Sequence, residues 1–279
     1  MTTAIPITPP MTHNHLNRKP STSSIKPALE ATYSEEYDTI ATHPYTKALL
    51  ALGRFDIEHP YDLPEEQAEY SLTAGTLAGP KMIAHTPLTL VARRSPGQKA
   101  LAPRPKSPVI PGYNDGPISE DEENDQLYNE IIVFYHLGEK LCGHQGLIHG
   151  GLLATLMDES LCRCGFPCLP NGLGVTGSLN IKYLAPTPSN SIVALHARCI
   201  KVDGRKATIK GTISVVQSGD ESSETPYTAK TCVSGEALVI EPRWVAKIDN
   251  GHFSKPTTPD VSKPSSPSAS KPSTPPATD

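Results

Sequence analysis

The stretch Gly143-His144-Gln145-Gly146-Leu147-Ile148-His149-Gly150-Gly151-Leu152-Leu153-Ala154-Thr155-Leu156-Met157-Asp158-Glu159-Ser160-Leu161-Cys162 decides the fold. Its glycines mark a turn. From Leu152 the apolar residues fall at 152, 153, 156, 157 and 161, the spacing of a helix with a broad buried face. Gly165, Pro167, Pro170 and Gly172 stop that helix. Upstream, Asn129 to Leu137 is rich in β-branched and aromatic residues and reads as a strand. Downstream come strands over 175–184, 191–202, 205–216 and 227–240, with Asp203-Gly204 as a two-residue hairpin turn. In the first of these, Val175, Leu179, Ile181 and Tyr183 are expected on one face, and Thr176, Ser178, Asn180 and Lys182 on the other. A strand, one buried helix and an antiparallel meander make an α+β fold, with the helix packed on a curved sheet.

The rest of the 279-residue chain is of a different character. Its 29 prolines are about twice the usual share of roughly 5 %, so part of it is expected to lie outside any packed core. Residues 1–36 read as a disordered arm and 245–279 as a disordered Pro/Ser/Lys tail. Between the arm and residue 127 lies an N-terminal extension. It holds a short helix over 44–54, a strand at Leu88 to Arg93, and a solvated acidic, proline-rich loop over 96–127. The main domain is placed at 128–244.

The net charge of −4 argues against nucleic acid and anionic membrane as partners. No apolar run reaches the roughly 18–20 residues of a membrane span. The first 30 residues lack the apolar region of a secretory signal, so the six cysteines are expected as thiols. Cys162, Cys164 and Cys168 match no common metal-site spacing, and no metal is expected. Residues 1–29 of the arm are free of acids and rich in Ser/Thr, as a mitochondrial leader is, but they are poor in Arg and broken by prolines. The cytoplasm is therefore favoured over the mitochondrion.

His149-Gly150-Gly151 with Asp158 nine residues after the histidine resembles the hotdog-fold thioesterases, in particular the PaaI-like and THEM-type acyl-CoA thioesterases. Val175 to Ile181, Lys201 to Lys206 and Glu236 to Ile240 resemble further blocks of that family, and the likeness covers about 128–242. Tyr70 to Met82 also look like fungal members of the group. The resemblance implies an antiparallel sheet wrapped around one long central helix, and hydrolysis of acyl-CoA, or a related acyl thioester, without a cofactor. It gives Asp158 the role of general base or nucleophile. It gives Gly150 a backbone N–H to the thioester oxygen, and Thr176 a hold on the water or the carboxylate. His149 polarises the thioester or shapes the turn, and Gly151 opens the backbone to substrate. Arg205 and Lys206, at the hairpin tip, are candidates for coenzyme A phosphates. One departure stands out: some PaaI-like members carry an Asn six residues before the histidine, where this chain has Gly143.

Spacing adds a condition of its own. Eight residues of helix separate Gly150 from Asp158, about 12 Å at ~1.5 Å per residue. Two groups so far apart cannot both reach one carbonyl at about 3 Å. A two-fold pair with antiparallel helices would bring the start of one helix beside the Asp of the other, so a homodimer or a dimer of dimers is expected. The competing readings are a non-catalytic acyl-CoA-binding module and a thioesterase for a carrier-bound intermediate. Hydration of an enoyl thioester is set aside, because its Asp-and-His turn would need a histidine where Arg163 stands.

Overall fold

The computed structural model describes residues 27–84, 86–94, 99–102, 108–113, 126–219 and 226–245. Helix α1 spans Pro27–Thr42, α2 Pro44–Ala51 and the single-turn α3 Glu65–Ala68. The strands are β1 (Phe55–Glu58), β2 (Leu88–Ala92), β3 (Asn129–Leu137), β4 (Cys142–His144), β5 (Leu147–Ile148), β6 (Val175–Tyr183), β7 (Ser191–Asp203), β8 (Lys206–Ser218) and β9 (Tyr227–Ile240). The long helix α4 spans Gly150–Gly165, between β5 and β6. Seven strands form one antiparallel sheet in the order β1-β2-β3-β7-β8-β9-β6, and β4 and β5 make a separate small hairpin. With α4 cradled by the sheet, this is the hotdog arrangement.

The helix is seated by its apolar stripe. Leu152, Leu153, Leu156, Met157 and Leu161 are buried against the inner face of the sheet, with Val193, Leu195, Ile209, Ile213, Val233 and Val239. Each such side chain contributes about 1.5–3 kcal/mol by leaving water. Close approach is possible because Gly211 and Gly235, paired across β8 and β9, lie beneath the helix. A Cβ on Gly211 would stand 2.6 Å from Leu161 Cδ2, and one on Gly235 would stand 3.3 Å from Met157 Cγ.

Several expectations are corrected. The first 36 residues do not all form an arm, since α1 begins at Pro27. Residues 1–26 and 246–279, read as disordered, lie outside the described residues. The 96–127 segment is not simply solvated: Leu101, Ile110, Tyr113 and Leu127 are buried, and the remainder of that loop is likewise mostly outside the described residues. Leu101, Ile110, Tyr113 and Leu127 belong to a second core, which covers the outer face of the sheet with Ile40, Tyr45 and Leu49 of the first two helices, Ile132, Phe134 and Ala194. Strand β1 was not expected; it pairs with β2, so the extension adds two strands to the sheet. The hairpin turn sits one residue later than expected. Asp203 pairs with Lys206, leaving Gly204 and Arg205 as the loop, with Gly204 at φ +55°.

The facing of β6 is the correction with chemical weight. Thr176 pairs with Val239 and Ser178 with Leu238, so Gly177 is an extra residue, a β-bulge. The bulge reverses the alternation. Thr176 turns toward α4 and shares the inner face with Leu179 and Ile181, leaving Ser178 and Asn180 on the outer one.

Candidate functional site

The site is built around α4. Its N-cap is His149, whose backbone is extended and whose Nδ1 accepts the Gly151 N–H at 2.9 Å. The His149 carbonyl takes the N–H groups of Leu152 and Leu153. Among the described residues no acceptor meets the Gly150 N–H. It stands at the positive end of the helix dipole, where a developing negative charge is favoured. Tyr183, at the end of β6, donates its hydroxyl to the Gly150 carbonyl at 2.9 Å and fixes this first turn to the sheet. Gly150, the glycine expected to serve the oxyanion, has its N–H open, while that of Gly151 is occupied by His149.

Two turns further on, Asp158 Oδ1 accepts a hydrogen bond from Thr176 Oγ1 at 2.8 Å. The bulge at Gly177 makes this contact: without the extra residue the threonine would point to the outer face. Cys162 lies one turn beyond Asp158 on the same side of the helix, and its Sγ is 3.0 Å from Thr176 Oγ1. Burial pushes the Cys162 thiol up to about 11, and the nearby carboxylates of Asp158 and Glu159 add to the effect.

Glu159 faces another way. Its Oε2 accepts from Thr73 Oγ1 at 2.5 Å and its Oε1 pairs with Arg163 Nη2 at 3.3 Å. The Arg163 guanidinium lies over the Tyr61 ring, 4.6 Å from its centre. The Tyr61 hydroxyl meets that of Tyr135 at 2.6 Å, and the latter meets Ser160 Oγ at 3.2 Å. Burial pushes both phenols up, so they remain hydroxyls that hold the helix to the segment before β2. Of the two adjacent carboxylates, Glu159 is engaged in structure and Asp158 faces the threonine.

Gly143 packs against the N-cap. A Cβ there would stand 2.9 Å from His149 Cδ2 and 3.2 Å from His149 Cα. With His149 in this position, the place that holds Asn in some similar enzymes has no room for a side chain. Arg205 donates to the Glu241 carbonyl at 2.7 Å. Lys206 is exposed and pairs with Ile240, which also pairs with Val175, so the hairpin tip lies at the same end of the sheet as Thr176.

Gly150 and Asp158 remain separated by their positions on one helix. A surface depression lined by Ser178, Leu179, Asn180, Ile181, Thr208, Glu236 and Leu238 lies along β6, β8 and β9, and Asp158 does not line it. Strand β6, which carries Thr176, is an edge of the sheet. Val175 and Tyr183 along it, and Leu184 just past it, are 48 %, 55 % and 58 % exposed. Sequence reasoning missed Cys162 and Tyr183 as parts of this site. The i,i+4 spacing of Cys162 from Asp158 was the available signal for the first; for Tyr183 there was none before the strand was placed.

Residues 145–221 match the model of the thioesterase superfamily. The chain carries a thioesterase-superfamily domain. The match takes in α4 through β8. The domain is similar to an uncharacterized mitochondrial protein of Candida albicans, 39 % identical over 43 % of this chain and 52 % of that one. It is similar to the acyl-coenzyme A thioesterase THEM4 of Rattus norvegicus, 36 % identical over 36 % of this chain and 43 % of that one. A third relative is the uncharacterized mitochondrial membrane protein FMP10 of Saccharomyces cerevisiae, 33 % identical over 33 % of this chain and 38 % of that one. The chain thus spans about half the length or less of these curated relatives. Among the described residues of the thioesterase-domain chain, no helix is long and apolar enough to cross a membrane.

Proposed function

We propose that this thioesterase domain hydrolyses acyl-CoA to free acid and coenzyme A at a site shared by two copies of the chain. The observation that carries the reading is the Thr176–Asp158 hydrogen bond, in a domain whose helix start presents an unengaged Gly150 N–H. The thioester oxygen sits on the Gly150 N–H of one protomer. The partner's Asp158 takes a proton from water as that water attacks the carbonyl carbon. The tetrahedral oxyanion collapses, the C–S bond breaks, and the thiolate leaves and receives a proton. The reaction is redox-neutral and consumes only water. His149 shapes the turn as N-cap, and Gly151 lets substrate approach the backbone. Arg205 and Lys206 offer positive charge to coenzyme A phosphates.

The spacing of Gly150 and Asp158 along one helix supports a homodimer, and the open edge of β6 with its exposed Val175, Tyr183 and Leu184 offers the surface for it. The similarity to THEM4 supports acyl-CoA as the substrate class. A second reading, acyl-CoA binding without turnover, draws on Gly143: with no side chain there, oxyanion stabilisation rests on backbone alone. For location, we propose the mitochondrion, since two of the fungal relatives are named as mitochondrial proteins. This replaces the cytoplasm favoured by the composition of the N-terminal arm. Protection of the full chain from added protease within purified mitochondria is the check.

The test of function is CoA release from short, medium and long acyl-CoAs by the wild type beside Asp158→Asn. A loss of at least ~100-fold in the variant, about 2.7 kcal/mol of barrier, is expected. Binding of acyl-CoA by a wild type that releases no CoA would favour the second reading instead.

A further inference from the structure

We propose that Cys162 is a positioning residue: its thiol donates to Thr176 Oγ1 and so aims the threonine hydroxyl at Asp158. The catalytic consequence rests on the thioesterase reading, but the hydrogen-bond chain itself does not. The argument is one of donors and acceptors. A carboxylate only accepts, so the single hydroxyl proton of Thr176 goes to Asp158 Oδ1, at 2.8 Å. The Cys162 Sγ contact at 3.0 Å on the same oxygen must then have sulfur as the donor, toward a lone pair of Thr176. That requires the S–H to stay protonated. Cys162 is 8 % exposed, and burial beside two carboxylates keeps it a thiol through the physiological range.

The arrangement also removes a competing geometry. A threonine hydroxyl rotates freely unless its lone pairs are engaged, and its proton can then point away from the carboxylate. With the thiol filling one lone-pair direction, the proton has one favourable target. Two chain features place the sulfur there: Cys162 follows Asp158 by one helical turn, and the Gly177 bulge brings Thr176 over both. The thiol thus acts on the reaction only through the threonine. It is weakly polar and compact, so it fits a buried helix face where a serine hydroxyl could also serve but an alanine could not.

The experiment uses the full-length chain as wild type, Cys162→Ser, Cys162→Ala and Thr176→Val. Infrared difference spectra in the S–H stretching region read the thiol directly. The band lost in Cys162→Ala identifies this thiol among the six, and it should shift to higher wavenumber in Thr176→Val as its acceptor disappears. An unchanged band in Thr176→Val overturns the proposal. Kinetics supply the second reading. Cys162→Ala should lose about tenfold in kcat with KM unchanged, the scale of one hydrogen bond, and Cys162→Ser should recover most of it. Equal rates for the alanine and serine variants overturn the positioning role. A band shift in an enzyme that turns over no thioester upholds the thiol's placement and sinks the thioesterase reading alone.

Discussion

Gly211→Ala tests how α4 is seated. The new Cβ would stand 2.6 Å from Leu161 Cδ2, 3.1 Å from the His196 carbonyl oxygen and 3.2 Å from Met157 Sδ. Leu161 and Met157 are fully buried, so neither can swing into solvent, and the carbonyl belongs to the neighbouring strand. Overpacking of this kind costs about 1–3 kcal/mol. Alanine also restricts the unfolded chain, which offsets about 0.4–1 kcal/mol. The net is a destabilisation of about 1–2 kcal/mol. For a domain of this size, at about 2–4 °C per kcal/mol, Tm should fall by roughly 2–8 °C. Gly235→Ala presses on Met157 from the next strand, with contacts at 3.3 Å to its Cγ and 3.1 Å to the Asn180 carbonyl oxygen. Because both substitutions displace the same methionine, the double variant should lose less than the sum of the two singles. Thermal unfolding followed by circular dichroism reads all three. A Tm for Gly211→Ala equal to or above that of the wild type would refute the claim that these glycines set the distance between helix and sheet.

Deleting Gly177 should remove the bulge and turn Thr176 to the outer face of the sheet, with the fold retained and Asp158 left without its threonine. Normal far-ultraviolet circular dichroism with thioesterase activity down to the level of Asp158→Asn is the expected result. Stability should also depend on pH through Cys162. A thiol that titrates at about 11 when folded, against an ordinary value of 9.0, binds its proton more firmly in the folded chain. The unfolded chain then holds fewer protons between those values, so this contribution is complete below pH 9 and is lost as pH rises toward 11. Urea unfolding at pH 8 and pH 10 should show the wild type losing about 1 kcal/mol more than Cys162→Ser over that interval.

The elements that carry the hotdog fold were legible because they obey local rules. The apolar spacing from Leu152 to Leu161 gave α4, and the β-branched run of β3 and the turn read at Asp203-Gly204, one residue early, gave the meander. The sequence offered Asp158 and Thr176 as candidates, but not the geometry that joins them. Thr176 was expected on the polar face because Val175 to Tyr183 alternates cleanly on paper. Bulges come from pairing with another strand, here the offset of Thr176 and Ser178 against Val239 and Leu238, and one strand's sequence does not contain that. The second core was hidden for a similar reason. Leu101, Ile110 and Tyr113 are isolated among prolines and polar residues, and only the sheet they cover shows why they are buried. The engagement of Glu159 with Thr73 spans 86 positions, a separation at which no motif operates.

The central pairing of the sheet has a consequence for how the chain is made. Strand β3 is flanked by β2, which precedes it, and β7, which follows: Asn129 pairs with Cys199 and Leu137 with Ser191. These partners are roughly fifty to seventy positions apart. At a synthesis rate of about 5–20 residues per second, β3 waits roughly three to fourteen seconds for β7 to exist. Through that interval the segment Ile131-Ile132-Val133-Phe134-Tyr135, which ends with every side chain buried, has one hydrogen-bonding edge unsatisfied. The β2 pairing and the helical cover over Ile132 and Phe134 are made from chain already synthesised. The N-terminal segment is therefore in position to shield β3 on the ribosome before the strand that completes it has been translated.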